Sequence, residues 1–200
     1  RWAERLGRAS GDASARHGVL LHCASVGEVI AARPLVQRLL ADPRWGPVLL
    51  SCTTPTGARQ IASDFGARVT QVLFPVDTPG ATRRFLQQWQ PRAVLLMERE
   101  LWPEFLHQAQ CLGIPVALVN ARLSERSAAG YQRWNRLMTP ALASLRLVCA
   151  EDAASAARLQ ALGVTPERLC ITGNIKSDVQ AGPALHQAIA DTRQLLGARP

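Results

Sequence analysis

Long apolar runs, aromatic residues and several familiar site motifs are scarce in this 200-residue chain, and each shortage removes a class of function. No apolar stretch approaches the roughly 20 residues that cross a bilayer as a helix, and no signal peptide is visible. Aromatics make up only 5% of the residues, and Lys and Arg never run together as a dense stripe. A nucleic-acid binder of the stacking kind needs both, so nucleic acid is not an expected partner. The five cysteines (Cys23, Cys52, Cys111, Cys149 and Cys170) show no CxxC spacing, and the four histidines (His17, His22, His107 and His186) form no HExxH-type pair. The count is odd, and all but Cys111 lie in or at the end of strand-like runs. This pattern predicts buried, reduced thiols in a cytosolic compartment and no metal site. The turn after the first apolar run carries one glycine where a dinucleotide-binding turn has G-x-G-x-x-G; a G-x-S-x-G elbow and a P-loop are also missing.

What is present is a core-forming supply of Leu, Val and Ala within 48% hydrophobic residues, enough to fold without staples. Lys and Arg outnumber Asp and Glu by 23 to 15, a net charge of +8 carried nearly all by arginine. A surplus of that size suits an anionic partner, such as a phospholipid surface or a phosphorylated substrate.

Strand-like runs fall at 19–23, 47–52, 69–74, 93–97, 115–119, 145–149 and 168–172. Helical patterns follow at 30–40, up to 65, 81–89, from Pro103 to 112, up to 138, 152–162 and 184–196. Unbroken alternation of strand and helix predicts an α/β fold, a parallel sheet with helices on both faces. Residues 1–18 read as a lead-in, 19–180 as a Rossmann-like domain, and 181–200 as a terminal helix leading onward. The chain begins without Met and stops at Pro200 in mid-pattern, as a piece of a longer protein would.

Polar, glycine-bearing tracts recur after strands and therefore gather at one edge of the sheet, where open α/β folds bind ligands. There stand Glu28, Glu98 and Glu100, with Asp77 and Asp178 further along and Thr54, Asn120, Arg122 and Lys176 around them. A carboxylate that takes a proton from a hydroxyl, flanked by cations that hold an anionic substrate, is a transferase arrangement. Each of these residues has a plainer reading. Ser25-x-x-Glu28 fits a capping box; Glu98 and Glu100 can serve as favourable charges before the Pro103 helix. Trp102 reads as core before sugar platform, Arg122 and Lys176 as solvated cations, and Asn174 as a turn residue.

Five ordered motifs tie these loops together: Ser25-Val26-Gly27-Glu28, Thr53-Thr54-x-Thr56-Gly57, Met97-Glu98-Arg99-Glu100-Leu101-Trp102-Pro103, Asn120-Ala121-Arg122-Leu123-Ser124-Glu125 and Gly173-Asn174-Ile175-Lys176-Ser177-Asp178. Together they resemble the amino-terminal half of the 3-deoxy-D-manno-octulosonic acid (Kdo) transferases of lipopolysaccharide core synthesis. Two positions depart from the family pattern: Arg99 stands where Thr is common, and Ser177 where an aromatic is common.

The resemblance implies the amino-terminal half of a GT-B glycosyltransferase, acting without a metal or a separate cofactor. The donor, CMP-Kdo, would bind mainly a carboxyl-terminal domain that this chain lacks, and a phosphorylated lipid A precursor would bind here. It further implies an anchor upstream of Arg1, work at the cytoplasmic face of the bacterial inner membrane, and an inactive isolated fragment. An apolar groove bordered by Arg and Lys is expected near the carboxyl ends of the first strands. Glu28 would be the general base; Ser25, Gly27, Thr54, Glu98, Glu100, Arg122 and Lys176 would contact substrate. The remaining alternatives are another GT-B-type nucleotide-sugar enzyme and a non-catalytic anion-binding module.

Overall fold

The computed structural model describes residues 2–8 and 13–178. Its strands are β1 (Val19–His22), β2 (Val48–Cys52), β3 (Thr70–Leu73), β4 (Ala93–Met97), β5 (Val116–Ala121), β6 (Leu147–Ala150) and β7 (Leu169–Ile171). They form one sheet in the order β3-β2-β1-β4-β5-β6-β7, and every neighbouring pair is parallel. β1 and β2 are buried at every position, as strands covered on both faces must be. The covering helices are α1 (Trp2–Arg5), α2 (Val26–Ala31), α3 (Arg33–Ala41), α4 (Pro55–Phe65), α5 (Pro79–Trp89), α6 (Pro103–Cys111), α7 (Glu125–Arg133), α8 (Asn135–Ala143) and α9 (Ala153–Ala161).

Alternation along the strands divides the core in two. Leu20, Leu49 and Leu96 pack with Phe74, Phe85, Trp89 and Phe105 on one side. Leu21, Leu50 and Met97 pack with Val29, Ile61 and Phe65 on the other. The chain builds outward from β1 to β3 and then returns to lay β4 on the opposite flank of β1. Loops leaving the carboxyl ends of β1 and β4 therefore diverge, and the crevice between them is the place where such sheets bind ligands.

Several expected boundaries move, each for a local reason. The helix expected over 30–40 is two: α2 starts at Val26, and Pro34, in the first turn of α3, has no amide to continue the ladder through Ala32. The helix expected to run to 138 breaks at Trp134, and its second part, α8, continues to Ala143 with Pro140 inside it. Strand β6 accordingly begins at Leu147, two residues later than expected. The thiols are also more varied than strand position alone suggested. Cys23 and Cys52 are buried, Cys149 is half-buried, and Cys111 and Cys170 are exposed. Cys170 is exposed because β7 is a three-residue edge strand with exposed positions.

The lead-in is tied down. The Val76 amide donates to the Arg5 carbonyl at 2.8 Å, and Arg84 donates twice to the Leu6 carbonyl. Gly7 sits at φ +76°, and a Cβ there would lie 2.2 Å from the Ala81 carbonyl oxygen, so only glycine lets α1 approach α5. The helix expected at 184–196 lies outside the described residues. Among those described, no helix is long and apolar enough to cross a membrane.

Candidate active site

The β1 loop starts from a capped helix. Ser25, with extended backbone, is the N-cap of α2: its Oγ accepts from the Glu28 amide at 3.3 Å. The Glu28 side chain folds back, accepting from the Ala24 amide at 2.9 Å (Oε2) and from the Ser25 hydroxyl at 3.1 Å (Oε1). This is a capping box that reaches one residue further back than usual. The residue as a whole is only 9% exposed. Burial raises its pKa to about 7, and the charges of Glu100 and Glu98 push the same way, against the hydrogen bonds from Ala24 and Ser25. Helix capping and a pKa in the neutral range thus coexist in one side chain. At Gly27 a Cβ would meet only the Ser25 hydroxyl, at 3.8 Å, so the fold itself does not demand glycine at this exposed position.

The facing loop supplies the other carboxylates. Glu98 follows β4 at φ +52°, and Asn120, at the same level of neighbouring β5, has φ +52° too. Two non-glycine residues in the left-handed region side by side are backbone strain of the kind functional loops store. Glu100 accepts from the Trp102 indole N–H at 3.0 Å, and its Oε2 lies 3.5 Å from His22 Nε2. Trp102 serves as core and as ligand to this carboxylate, with its ring 5.8 Å from that of Phe74. Glu98 and Glu100 do not cap the Pro103 helix. Asp77 does so from the loop after β3, accepting from the Glu104 amide at 3.1 Å and the Phe105 amide at 2.7 Å.

The remaining candidates spread around this centre. Thr54 is the N-cap of α4, accepting from the Gly57 amide at 3.1 Å. Its neighbour Thr53 donates to the Ala24 carbonyl at 2.8 Å and so ties the β2 loop to the β1 loop that carries Glu28. Asn120 is buried and accepts from the Ile175 amide at 3.0 Å. Asn174 closes a turn by accepting from the Lys176 amide at 2.9 Å, and donates to Glu151 at 2.7 Å. Arg122 is largely exposed, 3.8 Å from Glu151, and lines a polar recess of about 350 Å³ with Glu98, Arg99, Ser124, Asp152 and Arg158. Lys176 is exposed in the same outer loop and no bond of its amine draws it to Glu28. An apolar groove of about 420 Å³, lined by Trp2, Arg5, Thr53, Pro55 and Leu73, opens beside the ends of β2 and β3. Its cation is Arg5, which donates to the Thr53 carbonyl at 3.2 Å; the expected lysine is not part of it.

Residues 1–179 match the family described as 3-deoxy-D-manno-octulosonic-acid transferase (kdotransferase). The chain belongs to the Kdo transferase family. It is 39% identical over 197 residues to the Kdo transferase of Haemophilus influenzae, covering 98% of this chain and 46% of that protein. It is 43% identical over 182 residues to that of Bordetella pertussis, covering 88% and 42%. The chain spans about half the length of the curated relatives it matches. Among solved structures, UDP-GlcNAc 2-epimerase from Neisseria meningitidis superposes with a TM-score of 0.64 over 90% of this chain and 55% of that one, at 12% identity. At that identity the likeness shows the fold alone, the Rossmann-like half of a GT-B architecture.

Within this Kdo transferase domain, sequence reasoning missed His22, Ser51, Arg5, the tie from Thr53 to Ala24 and the capping role of Asp77. His22 had a visible signal: a histidine ending an otherwise apolar strand, immediately before the site loop.

Proposed function

We propose that this chain is the acceptor-binding half of an inverting glycosyltransferase that moves Kdo from CMP-Kdo to a phosphorylated lipid A precursor. Glu28 is the general base. It takes the proton of the acceptor's primary hydroxyl as that oxygen bonds to the anomeric carbon of Kdo from the face opposite the leaving group. The bond from that carbon to the phosphate oxygen breaks, and CMP leaves with the electron pair. The donor is held mainly by a second domain, and no metal takes part.

One observation carries the reading: a buried carboxylate with its pKa at about 7, at the switch point of the sheet, facing two further glutamates. An unperturbed glutamate is too weak a base at neutral pH, whereas a pKa near the working pH serves proton transfer best. Ser25 holds the base in place, and the open backbone at Gly27 admits the acceptor. The groove of Trp2, Pro55 and Leu73, with Arg5 at its rim, suits an acyl chain beside a phosphate. Arg122 and Arg99 offer further anion contacts, and Lys176 offers another from the exposed loop after β7. The arginine surplus favours work at an anionic leaflet, the cytoplasmic face of the inner membrane.

The test is Glu28→Gln in the full-length enzyme, assayed for Kdo transfer. General-base catalysis contributes on the order of 10²–10⁴-fold, so turnover should fall at least about a hundredfold with acceptor binding and melting temperature little changed. Normal turnover per folded molecule would remove Glu28 from the mechanism.

A further inference from the structure

His22 is a fully buried titratable side chain at the carboxyl edge to which the proposed reaction gives no role. It ends β1, is 0% exposed, and lies directly behind the site loop. Its ring stacks on Phe74 with centroids 3.8 Å apart and planes 22° off parallel, and Phe74 also packs against Trp102. Nδ1 lies 3.0 Å from the hydroxyl of Ser51, its register partner on β2. Nε2 is buried with no hydrogen-bond partner, 3.5 Å from Glu100 Oε2. An orphaned ring nitrogen pointing at a carboxylate is costly unless it carries a proton to donate. The Ser51 hydroxyl has two acceptors in reach, Nδ1 at 3.0 Å and the Leu21 carbonyl at 3.4 Å; with its proton on the nearer one, the ring proton stays on Nε2, since the bond made at one ring nitrogen sets the other. The separation from Glu100 is longer than a formed hydrogen bond. Such contacts in unliganded sites often tighten only when substrate binds.

We infer that His22 is a positioning residue: it donates Nε2–H to Glu100 and, together with the Trp102 indole, fixes that carboxylate beside Glu28. The inference rests on Glu28 being the base. Burial lowers the pKa of His22, and Arg5 adds to this against the pull of Glu100, so the ring works as a neutral donor. Glu100 is the first of the two carboxylates whose charge raises the pKa of Glu28, Glu98 being the second. Arg99, the half-buried Tyr131 of α7 and the buried Cys23 thiol also lie around Glu100. Without the donor, Glu100 drifts from its place beside Glu28. The pKa of Glu28 then falls, and with it the strength of the base.

Two measurements on the full-length enzyme test this. In ¹⁵N-histidine-labelled protein, the His22 ring should be neutral with its proton on Nε2; a neutral ring protonated on Nδ1 overturns the inference. Among variants, His22→Gln places an amide donor where Nε2 stood, whereas His22→Asn reaches only as far as Nδ1. His22→Asn should lose about tenfold in kcat with KM unchanged, and the acid limb of its pH–rate profile should move to lower pH. His22→Gln should stay within about threefold of the wild type, its acid limb in place. Equal losses in both variants, or a wild-type profile in His22→Asn, overturn the inference. Should His22→Asn fail to fold, the ring tautomer of the unmodified enzyme still decides. Should Glu28→Gln turn over normally, it is the base reading that fails, and the tautomer reports the His22–Glu100 contact independently.

Discussion

Glu28 and Asp77 occupy matching places in this sheet: each follows a strand at the carboxyl edge, each accepts backbone N–H groups at a helix start, and burial raises the pKa of each. Their surroundings differ. Both oxygens of Asp77 are bound to amides of α6, and the carboxylate that acts on it is Glu104, one of the residues it caps. Glu28 accepts one amide and one hydroxyl, and faces Glu98 and Glu100, delivered by a different strand across the switch point. Two backbone donors make Asp77 a structural cap. Burial, with like charges brought from β4, raises the pKa of a similar cap to about 7.

That contrast can be broken in order of expected effect. Largest is the loss of at least about a hundredfold in turnover for Glu28→Gln, with stability nearly intact. Next is Glu100→Gln, which removes one of the charges that raise the pKa of Glu28. The acid limb of the pH–rate profile should shift to lower pH, yet stay above the ordinary glutamate range because burial remains. The plateau rate should fall by roughly two- to tenfold as the base weakens. Smallest in activity is Asp77→Asn, which sets an amide NH₂ against backbone donors. It should cost about 1–2 kcal/mol in denaturant unfolding while turnover per folded molecule stays at the wild-type level. A matching loss of turnover in Asp77→Asn would erase the distinction between the two caps.

The layers of this fold were legible because βα alternation is written in periodicity, and parallel strands buried on both faces read as apolar runs. The breaks at Ala32 and Trp134 were harder, since a helix interrupted for one residue keeps its apolar spacing on both sides. At the site, the loops were found from motif order, but the partners of each carboxylate were not. Asp77 and Glu104 are 27 residues apart in sequence and meet only because α5 returns the chain to β4 beside β1. Whether Ser25-x-x-Glu28 is a cap or a base also had no answer in local pattern. It is a cap by local geometry, and its basicity comes from burial and from β4.

The most direct test of the central claim is the pKa of Glu28 itself. Titrating the side-chain carboxyl carbons of the full-length enzyme by ¹³C NMR, with Glu28→Gln to assign the signal, should give a midpoint near the value of about 7 set by burial and the two facing glutamates. A midpoint near 4.5, the ordinary glutamate value, would contradict it and leave Glu28 as a helix cap alone.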